Sequence, residues 1–244
     1  MLQSIKQLYG KELAATDASV GCVKDFYFDD QNWAVRYVIV DTGKWLPGRQ
    51  VLLSPHAFGR ISLEGKAIAV NLTRGQIEGS PSIEVHKPVS RQYEEDYHRY
   101  YGWPSYWESE GLLGGLRKFP ILEALPNVAP GEPAVAIDPQ RDRANTHLRS
   151  TQAVSGYHIM ATDGITGHVC DFMMDPQSWA IHQLIVKTGH RLTGKEVQIP
   201  VSLVERMSYT ESTVFLNLAR QAIENSLEHR LMPKETVDQR VLTL

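Results

Sequence analysis

The sequence has little of what marks a secreted, membrane-spanning or nucleic-acid-binding protein. Its 244 residues include two cysteines and carry a net charge of only -3 at pH 7. The longest apolar runs, such as 37–40, fall far short of the ~20 residues that a membrane-spanning helix needs. The N-terminus lacks the apolar segment of a signal peptide. We therefore expect a cytoplasmic protein without membrane insertion, and no region basic enough to bind nucleic acid.

The sequence also lacks the motifs of common catalytic centres. It has no G-x-S-x-G nucleophile motif, and residues 112–115 lack the Lys-Ser/Thr of a phosphate-binding P-loop. Cys22 and Cys170 are not at equivalent positions of the repeat described below, which predicts free thiols in a reducing compartment. Glu94 and His98 offer two metal ligands without a third, and we interpret them as charges on an exposed helix face. We expect no enzymatic activity, no metal and no organic cofactor.

The main positive feature is an internal repeat. Residues 2–80 and 148–226 align without a gap at an offset of about 146 residues, and roughly 29 of about 79 positions are identical. A repeat of this length is a whole small domain rather than one element of a solenoid. The sequence therefore predicts a first domain at 2–80, a connecting segment at 81–147, a second domain at 148–226 and a C-terminal tail at 227–244.

Each copy has the pattern of several short strands separated by turn-forming residues. The first copy predicts a strand within 2–15, a β-hairpin over 20–41 that turns at 29–32, and further strands at 50–53 and 67–72. The second copy repeats this order. Five or six short strands per copy are typical of a small barrel, so the predicted fold class is mainly β, with two small β-barrels in tandem.

The strand that returns from the first hairpin is apolar on both faces. Trp33, Val35 and Ile39 are expected to point one way, and Val38 and Val40 the other. A strand of this kind is buried on both sides. We therefore expect a helix, a partner barrel or a second subunit to cover its outer face.

Two pairs of aspartates recur in the copies. Asp17 and Asp163 are interpreted as turn residues whose carboxylates bond N–H groups two residues on. Asp25 and Asp171 lie among apolar residues, where burial would raise a carboxyl pKa. Bonds from backbone N–H groups near the following turn are the simpler interpretation of this second pair.

The connecting segment differs in kind from the copies. A helix is predicted after Ser90, residues 102–107 break it, and the later prolines predict an extended linker. The segment has seven tyrosines and tryptophans within 93–107, and some of these rings must be buried. They pack either on their own barrel or in a homodimer, which we favour, or on a foreign partner. The segment supplies the candidate interaction surface, which consists of Tyr93, Tyr97, Tyr100, Tyr101, Trp103, Tyr106 and Trp107.

Glycines, aspartates and tryptophans form a signature that both copies share. They lie in a Gly-x-Val-x-Asp-Phe run, a Trp-x-[Val/Ile] strand start, a Thr-Gly pair and a Leu-x-Gly-[Arg/Lys]-x-Val run. By these motifs each copy resembles the PRC-barrel domain, found in the cytoplasmic part of the photosynthetic reaction-centre H subunit and in a ribosome-maturation factor. The signature residues are Asp25, Trp33, Gly43, Gly48, Asp171, Trp179, Gly189 and Gly194.

The resemblance implies a binding role rather than catalysis. On this basis we expect a non-catalytic scaffold protein that presents barrel faces to a protein partner, for which a membrane or electron-transfer complex is one candidate. A homo-oligomer, most simply a homodimer, is also expected. The alternative function is an accessory factor in ribosome assembly or RNA processing.

Overall fold

The structure is a computed structural model. Gly48, Ser90, the proline-rich linker and the tail after Ser226 lie outside the residues that it describes. The described residues are 1–43, 45–46, 49–59, 67–81, 89, 91–107, 148–189 and 194–226.

The described part of the chain is mainly β, which confirms the predicted fold class. The strands are β1 (Gln3–Ser4), β2 (Glu12–Ala14), β3 (Ser19–Asp29), β4 (Ala34–Asp41), β5 (Gln50–Leu53), β6 (Ala67–Ala69), β7 (Leu148–Ser150), β8 (His158–Ala161), β9 (Gly164–Met174), β10 (Ile181–Thr188), β11 (Glu196–Pro200), β12 (Val204–Ser208) and β13 (Thr213–Leu216). The α-helices are Arg74–Glu78, Arg91–Tyr101, Thr151–Val154 and Arg220–Glu224, and 3-10 turns lie at Lys6–Leu8, Pro55–Ala57 and Val201–Leu203.

The chain divides into two compact units whose boundaries differ from those of the sequence copies. The first unit contains residues 1–155 and 171–183, and the second contains 156–170 and 184–244. The tip of the β9–β10 hairpin therefore belongs to the first unit.

The six-stranded sheet has the order β5-β4-β3-β2-β6, and β7 pairs with β3 outside this path. Strands β3 and β4 form the long predicted hairpin, in which Phe26 faces Val38 and Tyr27 faces Tyr37. Its core contains Phe26 and Phe28, both almost fully buried. The apolar side chains of β4 are buried on both faces of the strand, as the sequence predicts.

The seven-stranded sheet has the order β11-β10-β9-β8-β13-β12, and β1 pairs with β9 outside this path. In the second unit, β13 runs parallel to β8 and antiparallel to β12. In the first unit, β2 and β6 likewise run parallel to each other. Buried side chains that include Ile159, Val197 and Val214 form the core of the second unit.

An aspartate and a tryptophan define each hairpin turn. Asp29 accepts bonds from the N–H groups of Gln31 and Asn32, and Asp175 plays the same part in its own hairpin. Trp33 and Trp179 follow with φ of 51° and 59°, a region that side-chain-bearing residues rarely adopt. Trp33 stacks on Phe28 at 5.6 Å, and Trp179 lies 5.1 Å from Phe58. Trp179 is buried and Trp33 is half-buried, and the packing of these large rings offsets the local backbone strain.

Close approach of backbone explains two of the signature motifs. A Cβ atom at Gly21 would lie 2.0 Å from the Asp41 carbonyl oxygen, and one at Gly167 would lie 2.1 Å from that of Lys187. Gly194 has the same constraint, at 1.8 Å from the Thr188 carbonyl oxygen. These glycines allow the hairpin strands to meet the backbone that follows them, so no other residue fits without a shift.

Asp17 and Asp163 do not make the local turn bonds that the sequence predicts. Asp17 instead accepts from the N–H of Arg74 at 2.8 Å, and Asp163 accepts from the N–H of Arg220 at 2.8 Å. These donors lie in the first turn of short helices, where backbone N–H groups have no partner within the helix. Each carboxylate therefore fixes a helix start to a distant strand turn.

Candidate functional site

The aromatic helix, Arg91–Tyr101, lies on strands β4 and β5 of the first copy. Its central residue Tyr97 is fully buried in a cluster with Tyr37 and Ile39 of β4 and Leu52 of β5. The helix therefore covers the outer face of the doubly apolar strand. Of the alternatives left open by the sequence, the structure shows intramolecular cover.

Tyr97 attaches the helix to the sheet by contacts of three kinds. Its ring meets the Tyr37 ring edge-on at a centroid distance of 5.5 Å. Its hydroxyl donates to the Leu52 carbonyl oxygen and accepts from the Ser54 N–H, both at 3.0 Å. Burial raises the pKa of Tyr97 well above its ordinary value. The phenol therefore stays neutral, and both bonds persist, at physiological pH.

Tyr93, Tyr101 and Trp103 surround this anchor. The Tyr93 hydroxyl donates to the Pro81 carbonyl oxygen at 3.0 Å. Tyr101 and Trp103 stack with their ring centroids 4.4 Å apart, and burial raises the pKa of Tyr101 to about 12. These half-buried rings extend the apolar contact from the helix into the segment that follows it.

The helix also carries a buried polar network, so the interpretation of Glu94 and His98 as an exposed charged face is wrong. Glu94 is 4% and His98 is 3% exposed. Glu94 Oε1 accepts from the Tyr37 hydroxyl at 3.0 Å and from the Tyr106 hydroxyl at 2.6 Å. His98 Nε2 lies 3.2 Å from the Tyr37 hydroxyl, and its Nδ1 lies 3.0 Å from the Pro104 carbonyl oxygen.

This network links three parts of the chain. Tyr37 belongs to β4, Glu94 and His98 belong to the helix, and Tyr106 belongs to the segment after it. Burial, followed by the Glu94 charge, raises the pKa of Tyr37 well above its ordinary value, so its proton stays available to the carboxylate. The Arg36 guanidinium lies 3.9 Å above the Tyr106 ring and adds a cation–π contact.

The end of the helix places the last aromatic residues. Gly102 has φ of 67°, its N–H donates to the Arg99 carbonyl, and the Trp103 N–H donates to the His98 carbonyl. This pair of bonds is a Schellman ending, which requires a left-handed residue and so favours glycine. The chain then returns over His98, with the Trp107 ring 5.3 Å from the imidazole.

Tyr100 differs from the other aromatic residues because it is 45% exposed. Successive helix residues are rotated by about 100°, and the buried face includes Glu94 and His98 as well as the tyrosines. This rotation moves Tyr100 to the rim, where its hydroxyl donates to the Gln76 carbonyl oxygen at 3.0 Å. Beside it, Arg99 pairs with Asp96 on the solvent side. Tyr100 is therefore the aromatic side chain that the helix presents most openly.

Asp25 and Asp171 are buried, but their main partners are far away in the sequence. Ser150 donates to Asp25, and the Thr151 hydroxyl adds a bond at 2.9 Å. Ser4 donates to Asp171 in the same way. The predicted bonds from backbone N–H groups near the following turn are therefore largely wrong. Each carboxylate does accept from the backbone N–H of the next residue along its strand. The recurrence of serine at 4 and 150 was the available sequence signal for this pairing.

The remaining signature residues shape turns rather than a reaction centre. Gly43 and Gly189 have φ of 62° and 77° just after β4 and β10. Within the described ranges, no three His, Cys, Asp or Glu side chains lie together as a metal site. Cys22 and Cys170 form no disulfide, as predicted, and the Cys170 thiol donates to the Ile185 carbonyl oxygen at 3.3 Å. No helix among the described residues is long and apolar enough to cross a bilayer.

Comparison with known proteins identifies the first copy. No curated protein matches the chain. A family model, the PRC-barrel domain, matches residues 3–77. The match ends inside the first copy, and it includes the β4 and β5 strands on which the aromatic helix lies. The tandem arrangement of two such barrels therefore stays a prediction of the internal repeat, whereas a PRC-barrel domain is detected at residues 3–77.

Proposed function

We propose that this chain is a non-catalytic binding protein, built from two PRC-type barrels, that holds a protein partner. The PRC-barrel match at residues 3–77 carries the proposal, because that domain is consistent with a binding or scaffold role. The second copy is proposed to be a barrel of the same kind, on the strength of the internal repeat.

The polar network under the aromatic helix supports this proposal. General acid–base catalysis needs a side chain within reach of a substrate proton. Here the carboxylate of Glu94 accepts from two phenols, and His98 contacts a phenol and a backbone carbonyl. Both residues are buried, so their bonds hold the helix on the sheet. A rigidly held helix suits binding, because little conformational freedom is lost when a partner docks.

We propose the exposed rim of the aromatic helix as the docking surface. Tyr100 offers a large exposed ring with a polar tip. Its ring lies against that of Tyr101 at a centroid distance of 4.8 Å, and Tyr101 in turn stacks on half-buried Trp103. Tyrosine and tryptophan are enriched where proteins bind each other. The resemblance to the reaction-centre H subunit directs the first test toward protein subunits of membrane or electron-transfer complexes.

Site-specific photocrosslinking in the native host tests the docking surface. A benzophenone amino acid at Glu95, on the solvent side of the helix, should capture one protein reproducibly, as identified by mass spectrometry. Adding Tyr100→Ser should reduce capture at least about tenfold, as expected for an interface anchor. Tyr209→Ser is the matched control, because Tyr209 is 54% exposed in the second unit. If Tyr100→Ser and Tyr209→Ser reduced capture equally, or if neither variant reduced it, Tyr100 would not be the anchor.

A further inference from the structure

The N-terminal segments of the two copies are exchanged. Strand β1, at the start of the first copy, pairs antiparallel with β9 of the second copy. Strand β7, at the start of the second copy, pairs antiparallel with β3 of the first. All the paired residues belong to the first compact unit. The N-terminal strand of each copy therefore pairs with the hairpin of the other copy.

The hydrogen bonds of the buried aspartates follow the same exchange. Asp171 accepts from the Ser4 hydroxyl and from the Lys6 N–H at 2.9 Å. Asp25 accepts from the Ser150 hydroxyl and from the Gln152 N–H at 3.1 Å. The donors and acceptors occupy equivalent positions of the repeat. The contact is thus two-fold in character, as in a symmetric dimer.

The centre of this two-fold arrangement is a pair of alanines. Ala34 and Ala180 are equivalent positions of the repeat and form an antiparallel bridge with each other. The N–H of Val35 donates to the Trp179 carbonyl at 2.9 Å, and the N–H of Ile181 donates to the Trp33 carbonyl at 2.7 Å. A position that pairs with its own equivalent defines an isologous contact, which is self-complementary.

From this geometry we infer that a second copy of this chain can take the same contacts. Residues 1–107 of one chain pair with 148–226 of another, and the reverse pair completes a dimer with exchanged halves. No new surface is needed, because every contact already exists within one chain. The connecting residues 108–147 reach roughly 130 Å when extended, so they do not forbid the exchange. This inference is independent of the docking surface proposed at Tyr100.

The exchange competes with closure within one chain. Because the two halves are covalently connected, each has an effective concentration of about a millimolar at the other. Chains that fold in dilute solution therefore close on themselves. Chains that fold at comparable concentration should give exchanged dimers, which are then trapped because separating them requires both buried aspartates to lose their donors.

Disulfide trapping at the alanine pair tests the inference. Ala34→Cys and Ala180→Cys are combined in a Cys22→Ser, Cys170→Ser background. The alanines form a non-hydrogen-bonded pair, so their Cα atoms are about 4.5 Å apart, within disulfide range. Refolding from denaturant at about 1 µM should give an intrachain disulfide, and refolding at about 1 mM should raise the covalent dimer fraction at least tenfold. The wild type, refolded in the same way, should show the same dimer by light scattering.

The single variant Ala34→Cys, in the same background, is the matched control. It forms a covalent dimer only if the first copy pairs with another first copy, so no dimer is expected. A covalent dimer of this single variant would show that two first copies pair with each other, and the exchange would then be wrong. An intrachain disulfide alone at both concentrations, or a monomeric wild type at both, would overturn the inference.

Discussion

The two buried aspartates show how one residue changes an otherwise repeated site. Both carboxylates accept from a serine hydroxyl and a backbone N–H of the other copy. Asp25 has a further donor in Thr151, and the equivalent residue beside Asp171 is Ile5, which is fully buried and cannot donate from its side chain. Burial raises the pKa of Asp171, although bonds from Ser4 and Lys6 oppose the rise. This carboxyl therefore makes stability depend on pH.

The substitution Asp171→Asn should remove that dependence. Since the folded pKa lies above the unfolded one, the contribution of Asp171 to the free energy of unfolding is fully present below the ordinary carboxyl pKa. It is lost as the pH rises through the folded pKa. Urea unfolding between about pH 3 and pH 7 should show the wild type losing stability relative to the variant as pH rises.

Asp29→Asn is the control with the opposite sign. Burial alone would raise the pKa of Asp29, but bonds from Asn32 and the Arg36 guanidinium outweigh it and lower the pKa. Its contribution is present above the ordinary pKa and is lost as the pH falls. The wild type should therefore gain stability relative to this variant as pH rises. If the stability difference between wild type and variant changed with pH in the same direction for both substitutions, the raised pKa of Asp171 would be wrong.

At the scale of elements, the aromatic helix packs on the first copy because the sheet face under it has residues that the second copy lacks. Tyr37 and Leu52 are buried beneath Tyr97. The residues at the equivalent positions of the second copy are Gln183 and Gln198. A phenol that bonds Glu94 and an apolar side chain under Tyr97 are therefore available in one copy only.

Replacing Tyr37 by its second-copy counterpart should release the helix. Tyr37→Gln removes the edge contact with Tyr97 and the bond to Glu94, and should lower the free energy of unfolding by about 3 kcal/mol. Trp103 and Trp107 should then show red-shifted emission as their surroundings become wetter. Asp41→Asn, an exposed change on the same strand that keeps a side-chain oxygen to accept from the Gly43 N–H, should cost no more than about 0.5 kcal/mol. Unchanged emission in Tyr37→Gln would mean that the helix does not depend on Tyr37.

The sequence could predict the elements of this site better than its polar contacts. The hairpins follow from turn residues and alternating apolar side chains, and the helix follows from tyrosine spacing. The burial of Glu94 and His98 could not be predicted in this way, because helical spacing gives the angle between side chains but not the direction of the sheet. The partner of Glu94 is the Tyr37 hydroxyl, 57 residues away. Only the fold brings these two groups together.

At the scale of the whole molecule, the compact units are not the sequence copies. Residues 148–155 and 171–183 of the second copy belong to the first unit. The repeat identifies which residues are equivalent, but it does not tell whether Ser4 bonds the aspartate of its own copy or that of the other. Both choices satisfy the same local pattern. The structure selects the exchanged choice, which couples the two copies through their N-terminal segments.

This coupling predicts that substitutions act across the copies. Ser4→Ala removes a hydroxyl donor from buried Asp171 and should speed amide exchange at residues 172–174, lowering local opening free energy by about 1–2 kcal/mol. Ser150→Ala should do the same at residues 26–29 of the first copy. Ser178→Ala, which removes a bond to Asp175 within one hairpin turn, should change exchange only near that turn. Hydrogen exchange read by mass spectrometry resolves these segments. If Ser4→Ala instead accelerated exchange around Asp25, each aspartate would be served by its own copy, and the exchanged pairing would be wrong.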